Sequence, residues 1–257
     1  MTKNHYGKCH ICGKEGKLPF EHIPPRKAFN WHGAKVYNGF GPLSRNQGEA
    51  AKYFNSQQGM GKYTLCQSCN NNTGTWYAQA YCGFAMDVIR SLHAIKSLEH
   101  GSVVNFKFHD CPKLQIVKQV LAMFCSLLPI SIVQRLGFDK LLLERDSNTI
   151  NKELFDLRMY LTPFQNGQIM CGPTAFKYEN GDSFETLWVA DIGVYPFGFI
   201  LNLTPKEPVD WGISIMDMFD AGYDEKCSFE LSLMYLERTN NAFPLPLMFK
   251  ELPDQQQ

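Results

Sequence analysis

The chain has 257 residues, with 25 Lys and Arg against 25 Asp and Glu, and 44 % hydrophobic and 13 % aromatic content. That supply of apolar side chains excludes wholesale disorder and allows a sizeable core, in one large domain or two small ones. The longest apolar stretch, from Val120 to Val133, is too short to span a bilayer and contains Pro129, so no membrane partner is expected.

The neutral total hides a division. Residues 1–75 hold ten basic and three acidic residues, and the remainder compensates with an equal negative excess. A basic block beside an acidic remainder points to a polyanion met by the first part alone, unless the lysines are simply solvated. The first block is also rich in Gly, Asn, Lys and Cys, and is poor in aliphatic residues. Such a segment needs a staple. The N-terminus has no apolar, signal-like run, so reduced cysteines and a cytoplasmic location are expected. Nine cysteines are present, and four fall into two pairs, Cys9/Cys12 (CHIC) and Cys66/Cys69 (CQSC). Two Cys-x-x-Cys knuckles supply the tetrahedral thiolate set of a structural zinc site. Cys82, Cys111, Cys125, Cys171 and Cys227 lack that spacing. Cys82 and Cys125 lie in apolar segments, where a buried thiol is the default.

Between the knuckles, residues 31–62 read as a long excursion with at most a short helix over 48–55. From 76 to 98 the pattern becomes helical, with Tyr77, Ala80, Tyr81, Phe84, Val88, Leu92 and Ile95 on one face. Residues 113–128 repeat that signal through Leu114, Val117, Val120, Leu121 and Phe124. Gly137 and the polar run 145–151 end the helical part. From 154 to 249, short runs rich in β-branched and aromatic residues alternate with turn residues such as Asn180-Gly181, which predicts strands. Trp188 and Trp211 stand among them, and a sandwich or barrel is the expected form. The tail 254–257 reads as disordered. The expected class is α+β, divided as 1–100 for the N-terminal unit, 101–150 for a helical connector and 151–257 for a β-rich regulatory or assembly domain.

The residues with chemical potential sit beside the knuckles. Nine residues after Cys12 stands Glu21-His22-Ile23-Pro24-Pro25-Arg26, and Asn70-Asn71-Asn72-Thr73-Gly74 follows Cys69 directly. This combination resembles the HNH endonuclease family with a four-cysteine structural zinc, in the branch with Glu in place of Asp before the His. The resemblance covers about residues 9–75. It implies a ββα-metal unit with one strand ending near Glu21-His22, a second over 63–66, and a helix beginning near Cys69-Asn70. It also implies that His22 is the general base activating water. Glu21 and Asn70 would hold a catalytic magnesium or manganese ion.

The chemistry suits phosphodiester hydrolysis. A neutral imidazole takes the proton of the attacking water. A hard cation on a carboxylate and an amide oxygen neutralises developing charge. Arg26, Lys27 and Lys62 are nearby basic residues able to contact phosphates. DNA is favoured over RNA by the resemblance, and a role in restriction or anti-phage defence is the context it suggests. The C-terminal region is open to a partner protein or a second copy of the chain.

The family pattern has one departure here. Its middle Asn, about five residues before the third cysteine, is replaced by Gly61, with Asn55 or Gln58 as possible substitutes. That Asn braces the loop carrying the His. Its loss leaves a second reading open: an inactive, zinc-stabilised nucleic-acid-binding module. For single residues the plainer alternatives are a packed turn residue or a zinc ligand for His22, and a helix N-cap for Asn70. His10 is either exposed or a neighbour of the zinc site.

Overall fold

A computed structural model describes residues 4–30, 34–37, 53–162, 169–180, 183–206 and 211–236. The N-terminal part is built from very short strands: β1 (Tyr6–Lys8), β2 (Glu15–Lys17), β3 (Glu21–His22), β4 (Ala34–Tyr37), β5 (Tyr53–Ser56) and β6 (Gly61–Lys62). They form three separate antiparallel pairs, β1 with β2, β3 with β6, and β4 with β5. The expected helix over 48–55 is corrected where it can be seen, because residues 53–55 lie in β5, with Phe54 opposite Val36. The rest of that helix and the expected disordered tail fall outside the described residues. The second strand of the expected ββα unit sits earlier than 63–66, at Gly61–Lys62.

Helix α1 (Gln67–Trp76) follows at once, and α2 (Ala78–Leu92) continues after a break at Tyr77. The expected continuous helix over 76–98 is therefore two helices, with residues 93–98 outside either. At the break the Tyr77 hydroxyl donates to the Leu142 carbonyl at 3.1 Å, and the ring is fully buried. Of the expected face, Tyr77, Tyr81, Phe84 and Val88 are buried, Ala80 and Leu92 are half-buried and Ile95 is exposed, while Ala85 and Ile89 join the buried side.

Strand β7 (Val103–Cys111) was not expected. Phe106 and Phe108 are buried, whereas Asn105, Lys107 and His109 are not, which is the alternation of a strand with one face on the core. Helix α3 (Lys113–Cys125) is buried at every position from Leu114 to Cys125 except Gln115. Two short helices follow, α4 (Ile130–Arg135) and α5 (Phe138–Leu143).

The C-terminal part is β-rich as expected: β8 (Asp156–Leu161), β9 (Ile169–Asn180), β10 (Ser183–Val194), β11 (Phe197–Asn202), β12 (Ile213–Ser214) and β13 (Cys227–Met234). A 3-10 turn at Met216–Asp220 lies between β12 and β13. Five of these strands form one antiparallel sheet in the order β12-β8-β11-β10-β9. The sixth, β13, leaves that sheet and pairs with β7. A parallel bridge between Leu161 and Tyr235 joins the two sheets at one corner.

The β7–β13 pairing crosses the boundary drawn from the sequence at 150/151, and the apolar core crosses the one at 100/101 as well. One apolar cluster runs from Cys9 and Ile11 through α2 and α3 to Leu233. Phe197 and Phe199 on β11 meet the Tyr81 ring of α2 at 6.3 and 6.2 Å. The opposite sheet face holds a smaller cluster of Tyr160, Leu187, Val189, Ile200 and Leu236, against which Trp211 packs. Trp188 is exposed. No helix among the described residues is long and apolar enough to cross a membrane.

The sheet depends on one close approach. Gly198 lies opposite Tyr160 in the β11–β8 register, and a Cβ at Gly198 would collide with the Tyr160 ring. Gly198→Ala should destabilise the chain by about 1–3 kcal/mol, as overpacking does. Urea denaturation checks this, and Gly198→Ala, Tyr160→Leu together should recover part of the loss.

Candidate functional site

Four sulfurs fix the N-terminal unit. Cys9 and Cys12 lie on the turn between β1 and β2, where the Cys9 amide donates to the Lys14 carbonyl and the Gly13 amide to the Cys9 carbonyl. Gly13 takes a φ of 72°, the left-handed region in which Gly is least strained. Cys66 caps α1 and Cys69 sits in its first turn. The sulfur atoms of Cys9, Cys12, Cys66 and Cys69 all lie within 4.8 Å of one another, with Cys12 and Cys66 separated by 3.7 Å. A tetrahedron of metal–sulfur bonds about 2.3 Å long has edges of about 3.8 Å, so the donor set fits one tetrahedral ion. The shared protons reflect the crowding. A hydrogen bond from Cys69 draws the Cys9 thiol down to about 4, and the same bond pushes Cys69 up.

The knuckle is docked on the rest of the molecule. The His10 backbone amide donates to the Thr64 carbonyl, and the His10 Nδ1–H donates to the Cys125 carbonyl at 3.0 Å. His10 thus ties the cysteine cluster to the end of α3 and is half-buried, not the exposed residue of the simpler expectation.

Beside the cluster lies a cleft of about 180 Å³ lined in part by Glu21, His22, Arg26, Asn70 and Gln119. Three of these are the residues singled out for catalysis. β3 carries Glu21 and His22, and α1 carries Asn70, so a strand and a helix supply one cavity. Asn70 lies inside α1 and is not its N-cap, which is Cys66. Arg26 is the one phosphate-contact candidate on the cleft wall. Lys27 and Lys62 are not among its lining residues.

Glu21 is 5 % exposed, and its Oε2 accepts from the Ser126 hydroxyl at 2.5 Å. Burial pushes its carboxyl up to about 8, with the Ser126 bond opposing. No basic side chain among the described residues forms an ion pair with it. A buried carboxyl without a counter-charge is costly in its ionised form, and a bound cation removes that cost. His22 is pulled below the ordinary imidazole range by burial, and then by the Arg26 charge, while a hydrogen bond to the Gln58 backbone opposes both. A neutral ring held at one nitrogen leaves the other nitrogen as an acceptor. The Phe20 ring meets His22 edge-on at 5.0 Å and fixes its plane.

The absent middle Asn has a steric explanation. Gly61 is opposite His22 in the β3–β6 pair, and a Cβ there would collide with the Glu21 carbonyl oxygen and stand 2.6 Å from the Phe20 ring. No other residue fits. The bracing bonds come instead from Asn30, which is 2 % exposed. Its Nδ2 donates to the carbonyls of Pro24 and Met60, each at 2.7 Å, and its Oδ1 accepts from the Met60 amide at 2.8 Å. The Ile23 amide also donates to the Met60 carbonyl. The chain leaving His22 is thereby fastened to the chain entering Gly61. Of the two substitutes considered from sequence, Asn55 lies in β5 opposite Lys35, and Gln58 acts through its backbone.

Three residues of the site were not identified from sequence. Asn30 and Ser126 are ordinary polar residues with no motif around them, and Gln119 sits in an apolar helical run. The one available signal was a Gln in that run at a position the helix buries.

No protein-family model, curated protein or solved structure matches this chain. Any assignment of function therefore rests on the residues and their geometry.

Asn30→Ala should remove three hydrogen bonds and leave buried carbonyl and amide groups unpaired, at about 1–3 kcal/mol for each group left unsatisfied. Denaturant titration should show that loss. Asn30→Asp, which keeps the acceptor but not the donor, should fall between Asn30→Ala and the wild type.

Proposed function

We propose that the protein is a metal-dependent, HNH-type endonuclease that hydrolyses phosphodiester bonds, with DNA as the favoured substrate. The observation that carries this reading is the meeting of Glu21, His22 and Asn70, from β3 and α1, in one cleft beside a four-cysteine cluster. The two motifs are 48 residues apart in sequence by numbering from His22 to Asn70. The cysteine site takes zinc, for which four thiolates at tetrahedral spacing are the preferred structural ligand set.

Each residue has a distinct role. His22, neutral and held at one ring nitrogen, accepts the proton of the attacking water through the other. The Glu21 carboxylate and the Asn70 amide oxygen offer two hard ligands, and the Asn70 side chain has no protein partner among the described residues. A magnesium or manganese ion there supplies charge neutralisation at the scissile phosphate and the leaving oxygen. Arg26, exposed on the cleft wall, contacts a phosphate and orients the strand. Asn30 and Phe20 keep the base in position.

Supercoiled plasmid incubated with metal-stripped protein tests this reading. Nicking should return on adding magnesium or manganese. His22→Ala should lower the rate by about a hundred- to ten-thousand-fold, the range of a lost general base, with DNA binding retained. No nicking by the wild-type chain under any divalent ion, with salt-sensitive DNA binding kept by both proteins, would favour the binding module instead.

A further inference from the structure

The cleft has a wall that the motif does not supply. Gln119, on α3, lines it together with Glu21 and Asn70, although it lies well beyond the end of the ββα segment. Gln119 is 4 % exposed, and its Oε1 is buried with no hydrogen-bond partner. Its amide makes no other contact of that kind among the described residues. A buried amide without a partner is costly, and native structures keep few of them. Its neighbour Lys118 shows how α3 treats a buried polar group whose role is structural. The Lys118 Nζ donates to the carbonyls of Glu144 and Arg145, each at 2.9 Å. Gln119 has no such arrangement.

The chemistry of the wall narrows the missing partner. Oε1 can only accept, and the cleft that Gln119 lines also holds the Glu21 carboxylate and the Asn70 side-chain amide, each with an acceptor oxygen. A divalent cation is a partner that an unpartnered amide oxygen and a buried carboxylate can share. A phosphate oxygen would be repelled. Hard divalent ions take oxygen ligands of this mixed carboxylate and amide kind.

We propose that Gln119 is a third protein oxygen ligand of the divalent cation, so that α3 completes a metal site which the Glu21 and Asn70 motif leaves unfinished. This assignment rests on the reading of the cleft as a cation site. Ser126, two turns further along on the same side of α3, belongs to the same device, because it donates to the Glu21 oxygen and orients the carboxylate.

Manganese binding, followed by electron paramagnetic resonance on the full chain with zinc in the cysteine site, tests the proposal without reference to cleavage. Gln119→Leu should weaken manganese binding by about tenfold or more, the scale of a lost ligand or ligand-orienting group. Its melting temperature without manganese should be unchanged or higher, because an unsatisfied amide has been replaced by a side chain suited to burial. Gln119→Glu should bind manganese at least as tightly as the wild type. A Gln119→Leu chain with wild-type manganese affinity overturns the proposal, and so does one that no longer folds. If manganese binding is lost in Glu21→Gln but intact in Gln119→Leu, the cation reading stands and this assignment alone falls. If the wild type binds no manganese at the cleft, both fall. Weakened binding in Gln119→Leu supports the assignment even if no DNA is cut.

Discussion

A helix buried along nearly its whole length leaves little water for its polar groups, and α3 is such a helix from Ile116 to Cys125. Its polar positions must therefore be answered by the protein or by something the protein binds. Lys118 is answered by the carbonyls just beyond α5, and burial still pulls its ammonium down to about 8. Gln115 reaches the Tyr223 carbonyl. At the far end the Cys125 carbonyl accepts from His10, and the Ser126 hydroxyl donates a hydrogen bond to Glu21. The cysteine knuckle and the cleft are both positioned against this one element. Truncating the chain after the ββα segment would remove one wall of the cleft and the anchor of the knuckle together.

The N-terminal unit illustrates the complementary problem. Strands of two to four residues cannot hold themselves together. The four cysteines placed to hold one ion, and the Asn30 bonds across the β3–β6 entrance, supplement the few apolar residues that this unit adds to the core. The same economy explains Gly61. Close packing of the Glu21 backbone and the Phe20 ring leaves no room for a side chain opposite His22, so the brace had to come from elsewhere in the loop.

What was legible in the sequence follows from how local each signal is. Two Cys-x-x-Cys pairs declare a set of metal-ligating side chains because ligand spacing is a property of a few residues. The buried face of α2 is legible because five side chains repeat at three and four. Strand β7 was missed although Phe106 and Phe108 alternate with polar residues. It lies between helical segments, and its partner β13 is more than a hundred residues away. That pairing also ties the middle of the chain to its C-terminal region, which no composition shift announces. Glu21, His22 and Asn70 were legible as a motif, but Asn30, Ser126 and Gln119 were not. Their roles exist only once distant backbone segments meet, and a single Gln in an apolar run looks like a tolerated exception.

On the proposed reading, one chain holds two metal sites of opposite chemical character, sulfur for structure and oxygen for reaction. Anomalous X-ray diffraction from a crystal soaked in manganese, with data at the zinc and manganese edges, tests it most directly. The expected result is a zinc peak among Cys9, Cys12, Cys66 and Cys69, and a manganese peak within ligand distance of Glu21 and Asn70. A manganese peak only at the cysteines, or no peak in the cleft at concentrations that saturate ordinary oxygen sites, would contradict it.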